Sequence, residues 1–139
     1  MRLKGRTAEA ILQVHSPDTA EAALLPHVTG LPAVLPISRL VALMELAAGR
    51  LMRSSLRDGE SSVALEINLT HVTRKGTRGI VRAVARYRGI AGRVHHFTVH
   101  TFDESGLIAS AEHTRAVVVE QPPKDVERRA GRRATQLAV

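Results

Sequence analysis

With 139 residues, 44% of them hydrophobic, the chain has the size of one domain that can bury a core. It contains no cysteine, which excludes a disulfide scaffold, a thiol nucleophile and a thiolate metal site. Its formal net charge of +7 suits an anionic partner: nucleic acid, an acidic lipid surface or a phosphorylated small molecule.

Taken in chain order, Thr7 to His15 reads as a short strand, closed by the turn and cap residues "SPDT" at 16–19. An alanine-rich loop or short helical turn follows, and then "GLPAVLP" at 30–36, whose prolines and glycine interrupt regular structure. Ser38 is the expected N-cap of a helix over "RLVALMELAAGRLM", residues 39–52. The polar stretch "SSLRDGES" at 54–61 ends it. In the strand that follows, Val63, Leu65, Ile67 and Leu69 alternate with Ala64, Glu66, Asn68 and Thr70. That period of two predicts one buried face, with His71 in phase with the apolar set. Three more strands are expected at about 79–89, 93–102 and 107–119, separated by "GIAG" and "DESG". The helix is too apolar for a surface, so the fold class expected is α+β, a four-stranded antiparallel meander plus one earlier strand wrapped round a buried helix. Residues 1–120 form that domain; 121–139, rich in arginine and without periodicity, read as a flexible basic extension. No apolar run follows the basic N-terminus, and Arg39, Glu45 and Arg50 cut the most apolar segment. Neither a secretion signal nor a membrane span is read, and the expected location is cytoplasmic.

At about 100° per residue, Arg39, Arg50 and Arg53 fall within an arc of about 60°, which reads as the solvated side of the helix. Glu45 lies off that arc. Its neighbours at three and four residues are Val41, Ala42, Ala48 and Gly49, so no cation of its own helix pairs with it. Two readings are open. Glu45 borders the core and turns its carboxylate to water, or it sits partly desolvated beside a pocket, where a carboxylate serves as general base or nucleophile. The second needs a partner, and His71 is the candidate, although a lone histidine on an apolar face is more often a satisfied core residue.

Other constellations fail. There is no GxSxG, no phosphate-binding glycine loop and no HExxH. His95 and His96 point to opposite sides of a strand, and His96 with His100 supplies two imidazoles without a third ligand, so no metal is expected. Arg82, Arg86 and Arg88 share a strand face with Val84. They are a solvated outer face or, with Arg93 or the tail, a hold for nucleotide phosphates. Nucleic acid is not the expected partner, because three aromatic residues (Tyr87, Phe97 and Phe102) offer little surface for base stacking.

The order of elements, together with "LPAVLPISRLVALMELAAGRLM" at 31–52, "SVALEINLTHV" at 62–72, "GRVHHFTVHTFD" at 92–103 and "GLIASAEHTRAVV" at 106–118, resembles the hotdog-fold acyl-CoA thioesterases. Within them the chain is most similar to the fluoroacetyl-CoA thioesterase group. The resemblance covers roughly residues 7–119 and implies a homodimeric thioester hydrolase. Acyl-CoA is then the substrate, and no cofactor is needed beyond the coenzyme A the substrate carries. It implies Glu45 and His71 as the catalytic carboxylate and histidine. The group's catalytic threonine falls on Ile37, with a hydroxyl only next door at Ser38. Backbone amides around Ser38 to Leu40 are the expected oxyanion donors, and Ala42 and Gly49 would leave room for the acyl chain. A glycine seen after the histidine is displaced to Gly79, and Arg115 matches the arginine of an HxR pattern that His113 begins. The phenylalanine lid of the group is absent between Leu24 and Ile37, which argues against fluoroacetyl-CoA as the substrate. The alternative is a non-catalytic hotdog module that binds an acyl-CoA or nucleotide ligand as a sensor.

Overall fold

A computed structural model describes Leu3 and residues 5–13, 35–72 and 79–120. Along the chain run β1 (Thr7–Gln13), α1 (Ile37–Arg53), β2 (Glu60–His71), β3 (Ile80–Ala91), β4 (Val94–Asp103) and β5 (Gly106–Val119). The proposed basic tail lies outside the described residues, as do residues 14 and 15 of the first expected strand.

The helix begins two residues earlier than its pattern suggested. Pro36, extended at φ −69° and ψ 156°, is the N-cap, and no side chain caps this end of the helix. Ser38 therefore lies inside the first turn rather than before it. At the other end, the hydroxyls of Ser54 and Ser55 donate to the carbonyls of Leu51 and Met52 at 2.9 and 3.0 Å, satisfying acceptors that a helix terminus leaves open. Leu40, Leu43, Met44, Ala47, Ala48, Leu51 and Met52 are buried, the three- and four-residue spacing of one apolar stripe.

All five strands form one antiparallel sheet in the order β1-β3-β4-β5-β2. Only β3, β4 and β5 are a meander. The expected four-strand meander is corrected at β2, which leaves its sequence neighbour β3 and pairs with β5 at the sheet edge, because β1 occupies the free side of β3. One sheet face packs on the helix through Val81, Ala83, Ala85, Tyr87, Phe97, Val99, Ala109 and Ala111, all buried. This is the sheet-round-helix arrangement that the hotdog resemblance implied.

The alternation read in β2 also breaks. A bulge between Ala64 and Glu66 shifts the register, and one extra residue exchanges the faces of a strand. Ile67, Leu69 and His71 stand opposite His113, Ala111 and Ala109 on the helix side, while Ala64 stands opposite Arg115. Val63 and Leu65, expected inside, are 40% and 53% exposed.

Candidate active site

The sheet leaves a gap between the second half of α1 and the first half of β2, a cavity of about 880 Å³. From the helix, Ala42, Glu45, Leu46, Gly49, Arg50 and Arg53 line it; from β2 and the turn before it, Ser62, Val63, Ala64 and Arg57; from β5, Arg115. On a helical wheel these helix residues span about 140°, with Glu45 at one edge and Arg50 at the other. Arg50 and Arg53, read from sequence as the solvated side, thus share the cavity with Glu45.

Arg115 organises the floor. Its Nε donates to Ser62 Oγ and its Nη2 to the Ser62 carbonyl, both at 3.0 Å. Nη1 reaches the main-chain oxygen of Glu45 at 3.5 Å and lies 3.3 Å from His113 Nε2. The guanidinium approaches the helix at Gly49, where a β-carbon would meet Nη2 at 3.7 Å, ordinary van der Waals contact. Burial pulls the Arg115 pKa below its usual range, and the Glu45 charge opposes that shift. Glu45 itself is half-buried, so its carboxylate borders both the cavity and the electrostatic reach of a buried cation.

Of the residues nominated from sequence, Glu45, Ala42, Gly49 and Arg115 meet here. The others do not. His71 is exposed and lies seven residues beyond Ala64, about 23 Å along the strand. Ser38 is exposed too, and it precedes Glu45 by seven helical residues, about 10 Å of axis. Ile37, 55% exposed, is one residue further. The amides of Arg39 and Leu40 already donate to the Pro36 carbonyl at 3.0 and 3.1 Å, which removes them as oxyanion donors. Gly79 has φ +80° and abuts Glu104, whose Oε1 a β-carbon would approach to 2.5 Å. It belongs to the β3 entry and not to the cavity.

Arg82 and Arg88 stand on the other face of the sheet. Arg82 pairs with Glu9 at 3.7 Å and lies over the Phe102 ring, and Arg88 donates to the Thr98 hydroxyl, so the arginines of β3 do not line the cavity. His95 is half-buried: its Nδ1 lies 2.8 Å from the Tyr87 hydroxyl, and burial, with His96 nearby, lowers its pKa. Among the described residues no group of three or more His, Cys, Asp or Glu side chains is placed to hold a metal ion. No helix among them is long and apolar enough to cross a membrane. Sequence reasoning missed Ser62 and Arg57 and undervalued Arg50 and Arg53. A signal existed for Ser62, since a polar residue two before Ala64 shares its face of the strand.

The fluoroacetyl-CoA-specific thioesterase family, FlK, matches residues 14–121. The fluoroacetyl-CoA thioesterase of Streptantibioticus cattleyicolor is 32% identical over 93 residues, 67% of each chain. A solved structure of the fluoroacetyl-CoA thioesterase FlK superposes with a TM-score of 0.75 at 30% identity, covering 86% of this chain and 89% of that one. A variant of the same enzyme, in complex with fluoroacetate and CoA, gives 0.75 at 30% identity over 86% and 96%. A Thermus thermophilus member of the thioesterase superfamily, at 21% identity and a TM-score of 0.77 over 96% of both chains, shares the fold. By sequence and by fold, the chain belongs to the fluoroacetyl-CoA-specific thioesterase family and, with it, to the acyl-CoA thioesterases.

Proposed function

We propose that the protein hydrolyses an acyl-CoA thioester as a homodimer, with Glu45 of one protomer and His71 of the other completing each site. The observation that carries this is the separation of the two residues within one chain, together with the state of β2. That strand is twelve residues long, sits at the sheet edge and exposes Val63 and Leu65, with Leu46 of the helix 44% exposed beside it. An open edge of that length pairs readily with another strand. Two copies of β2 paired antiparallel about a twofold axis near residues 66 and 67 set the partner's His71 opposite Ser62, at the lip of the Glu45 cavity. Directly opposed residues share a sheet face, and His71 and Ser62 both belong to the helix side.

In that arrangement the Glu45 carboxylate draws a proton from the water that attacks the thioester carbonyl, or attacks it itself to form an anhydride that water then opens, freeing the acid and Glu45; in either case the C–S bond breaks as a C–O bond forms. The partner's His71 delivers a proton to the departing CoA thiolate. The missing hydroxyl at Ile37 favours the second reading, a module that binds acyl-CoA without turnover.

The test is complementation. Glu45→Gln and His71→Ala dimers are each inactive on an acyl-CoA panel. Mixed and re-equilibrated, they recover about a quarter of the wild-type rate, since half the dimers are mixed and each carries one intact site. No recovery would place both residues in one chain. An inactive wild type whose melting temperature rises with an acyl-CoA would support the sensor.

A further inference from the structure

This inference rests on the reading of the Glu45 cavity as the hydrolytic site. His113 is 1% exposed and does not line that cavity, yet both its ring nitrogens are engaged. Nδ1 lies 2.8 Å from the main-chain oxygen of Glu66, next to the β2 bulge. Nε2 lies 3.3 Å from Arg115 Nη1. A carbonyl only accepts and a guanidinium only donates, so these partners settle the tautomer: the proton is on Nδ1 and Nε2 is bare. Burial moves the ring's pKa downward most strongly; the Glu66 carbonyl opposes this, Arg115 adds to it and Glu45 opposes it. The Phe97 ring, its centroid 6.0 Å away, packs beside the imidazole.

The consequence falls on Arg115. Its two bonds to Ser62 hold the β2 side of the guanidinium, while the long 3.5 Å contact to the Glu45 main chain is weak. The His113 nitrogen is the remaining acceptor that keeps Nη1 turned to the helix. A carboxylate in its place would hold Arg115 as well, but would neutralise it. A neutral imidazole leaves the full positive charge facing the turn that carries Glu45.

We propose that His113 is a positioning residue for thioester hydrolysis: its bare Nε2 accepts from Arg115 and holds the guanidinium at the Glu45 turn without neutralising its charge. The residue touches no substrate and acts through Arg115.

Two substitutions separate this role from a merely structural one. A glutamine amide reaches the position of Nε2 and accepts from Arg115. An asparagine amide matches Nδ1 and keeps only the Glu66 bond. In kinetics with the wild type's best acyl-CoA, His113→Gln is expected to retain kcat within about threefold, and His113→Asn to lose about tenfold or more at unchanged KM. With Arg115→Gln already present, His113→Asn should cost nothing further. The reverse order, with asparagine active and glutamine impaired, would reduce His113 to a clamp on the bulge, as would equal kcat in both or a further loss in the Arg115→Gln background. A wild type without turnover overturns the hydrolytic reading instead, and a second readout then decides this one. Nitrogen-15 spectra of labelled histidine should show His113 protonated at Nδ1 and bare at Nε2 at neutral pH, as the Glu66 carbonyl and the Arg115 guanidinium require. An Nε2–H tautomer or an imidazolium would overturn the proposal.

Discussion

The two ends of β2 live in different surroundings. At the first end, Ser62 receives two hydrogen bonds from Arg115 and Ala64 helps to line the Glu45 cavity. At the other, His71 is exposed, although its register puts it on the same face. The strand also divides at its bulge, where His113 holds the Glu66 carbonyl. One chain thus builds the pocket and the carboxylate at one end, and presents a histidine of matching orientation at the other, with no hydrogen bond or ion pair to it among the described residues. In the proposed dimer, a twofold axis through the middle of β2 would bring each finished end to the other's unfinished end.

Four experiments sharpen or break that contrast. The largest effect is expected from Glu45→Gln, which removes the proposed reacting group and should lower kcat by about 10²–10⁴-fold while leaving the melting temperature unchanged; a variant with wild-type turnover would move the chemistry out of the cavity. Next is Arg115→Leu, which strips the donors from Ser62, from the Glu45 carbonyl and from His113 in a nearly buried site. A loss of about 2–4 kcal/mol in urea unfolding is expected, and a loss below the error of the measurement would mean that β2 docks without the guanidinium.

A charge on the open edge comes third. Leu65→Lys should weaken the dimer by about 10–100-fold in dissociation constant, read by analytical ultracentrifugation, with turnover falling in parallel on dilution. Dimers as tight as the wild type would place the twofold axis elsewhere. The smallest effect concerns His113 and pH. Burial lowers its folded pKa from the ordinary 6.5, so the unfolded chain takes up the proton first. This contribution to stability is complete above about pH 6.5 and is lost as the pH falls from there toward the folded pKa. His113→Gln should flatten that part of the stability profile, and an unchanged slope would assign it to other groups.

Much of this was legible in the residues, and particular positions show where reading stopped. The stripe from Leu40 to Met52 is regular enough to fix which side of α1 is buried, and the alternation in β3 separates Val81, Ala83, Ala85 and Tyr87 from the arginines between them. Both patterns are properties of a single element. The same reasoning misplaced Val63 and Leu65, because a bulge depends on the partner strand and leaves no mark in the alternation itself. It read Arg50 and Arg53 as solvated, and both are exposed, but a wheel does not show that they stand beside a cavity that β2 and Arg115 also line. Arg115 and His113 were visible as a pair on one strand face, two residues apart. Their mutual contact, and the contact with Ser62 more than fifty residues earlier, needed the pairing of β2 with β5.

From the sequence alone came the elements, the buried faces of α1 and β3, and one carboxylate on a helix with no local cation to pair with. These follow from side-chain periodicity and from contacts within one or two turns. Only the tertiary structure decided that β2 lies at the edge, that its bulge turns Ser62 and Ala64 inward, and that Glu45 and His71 stand at opposite ends of the same face. Strand order and register are settled by pairings between distant segments, whose energies depend on what remains unpaired elsewhere in the sheet, and no local pattern carries that information.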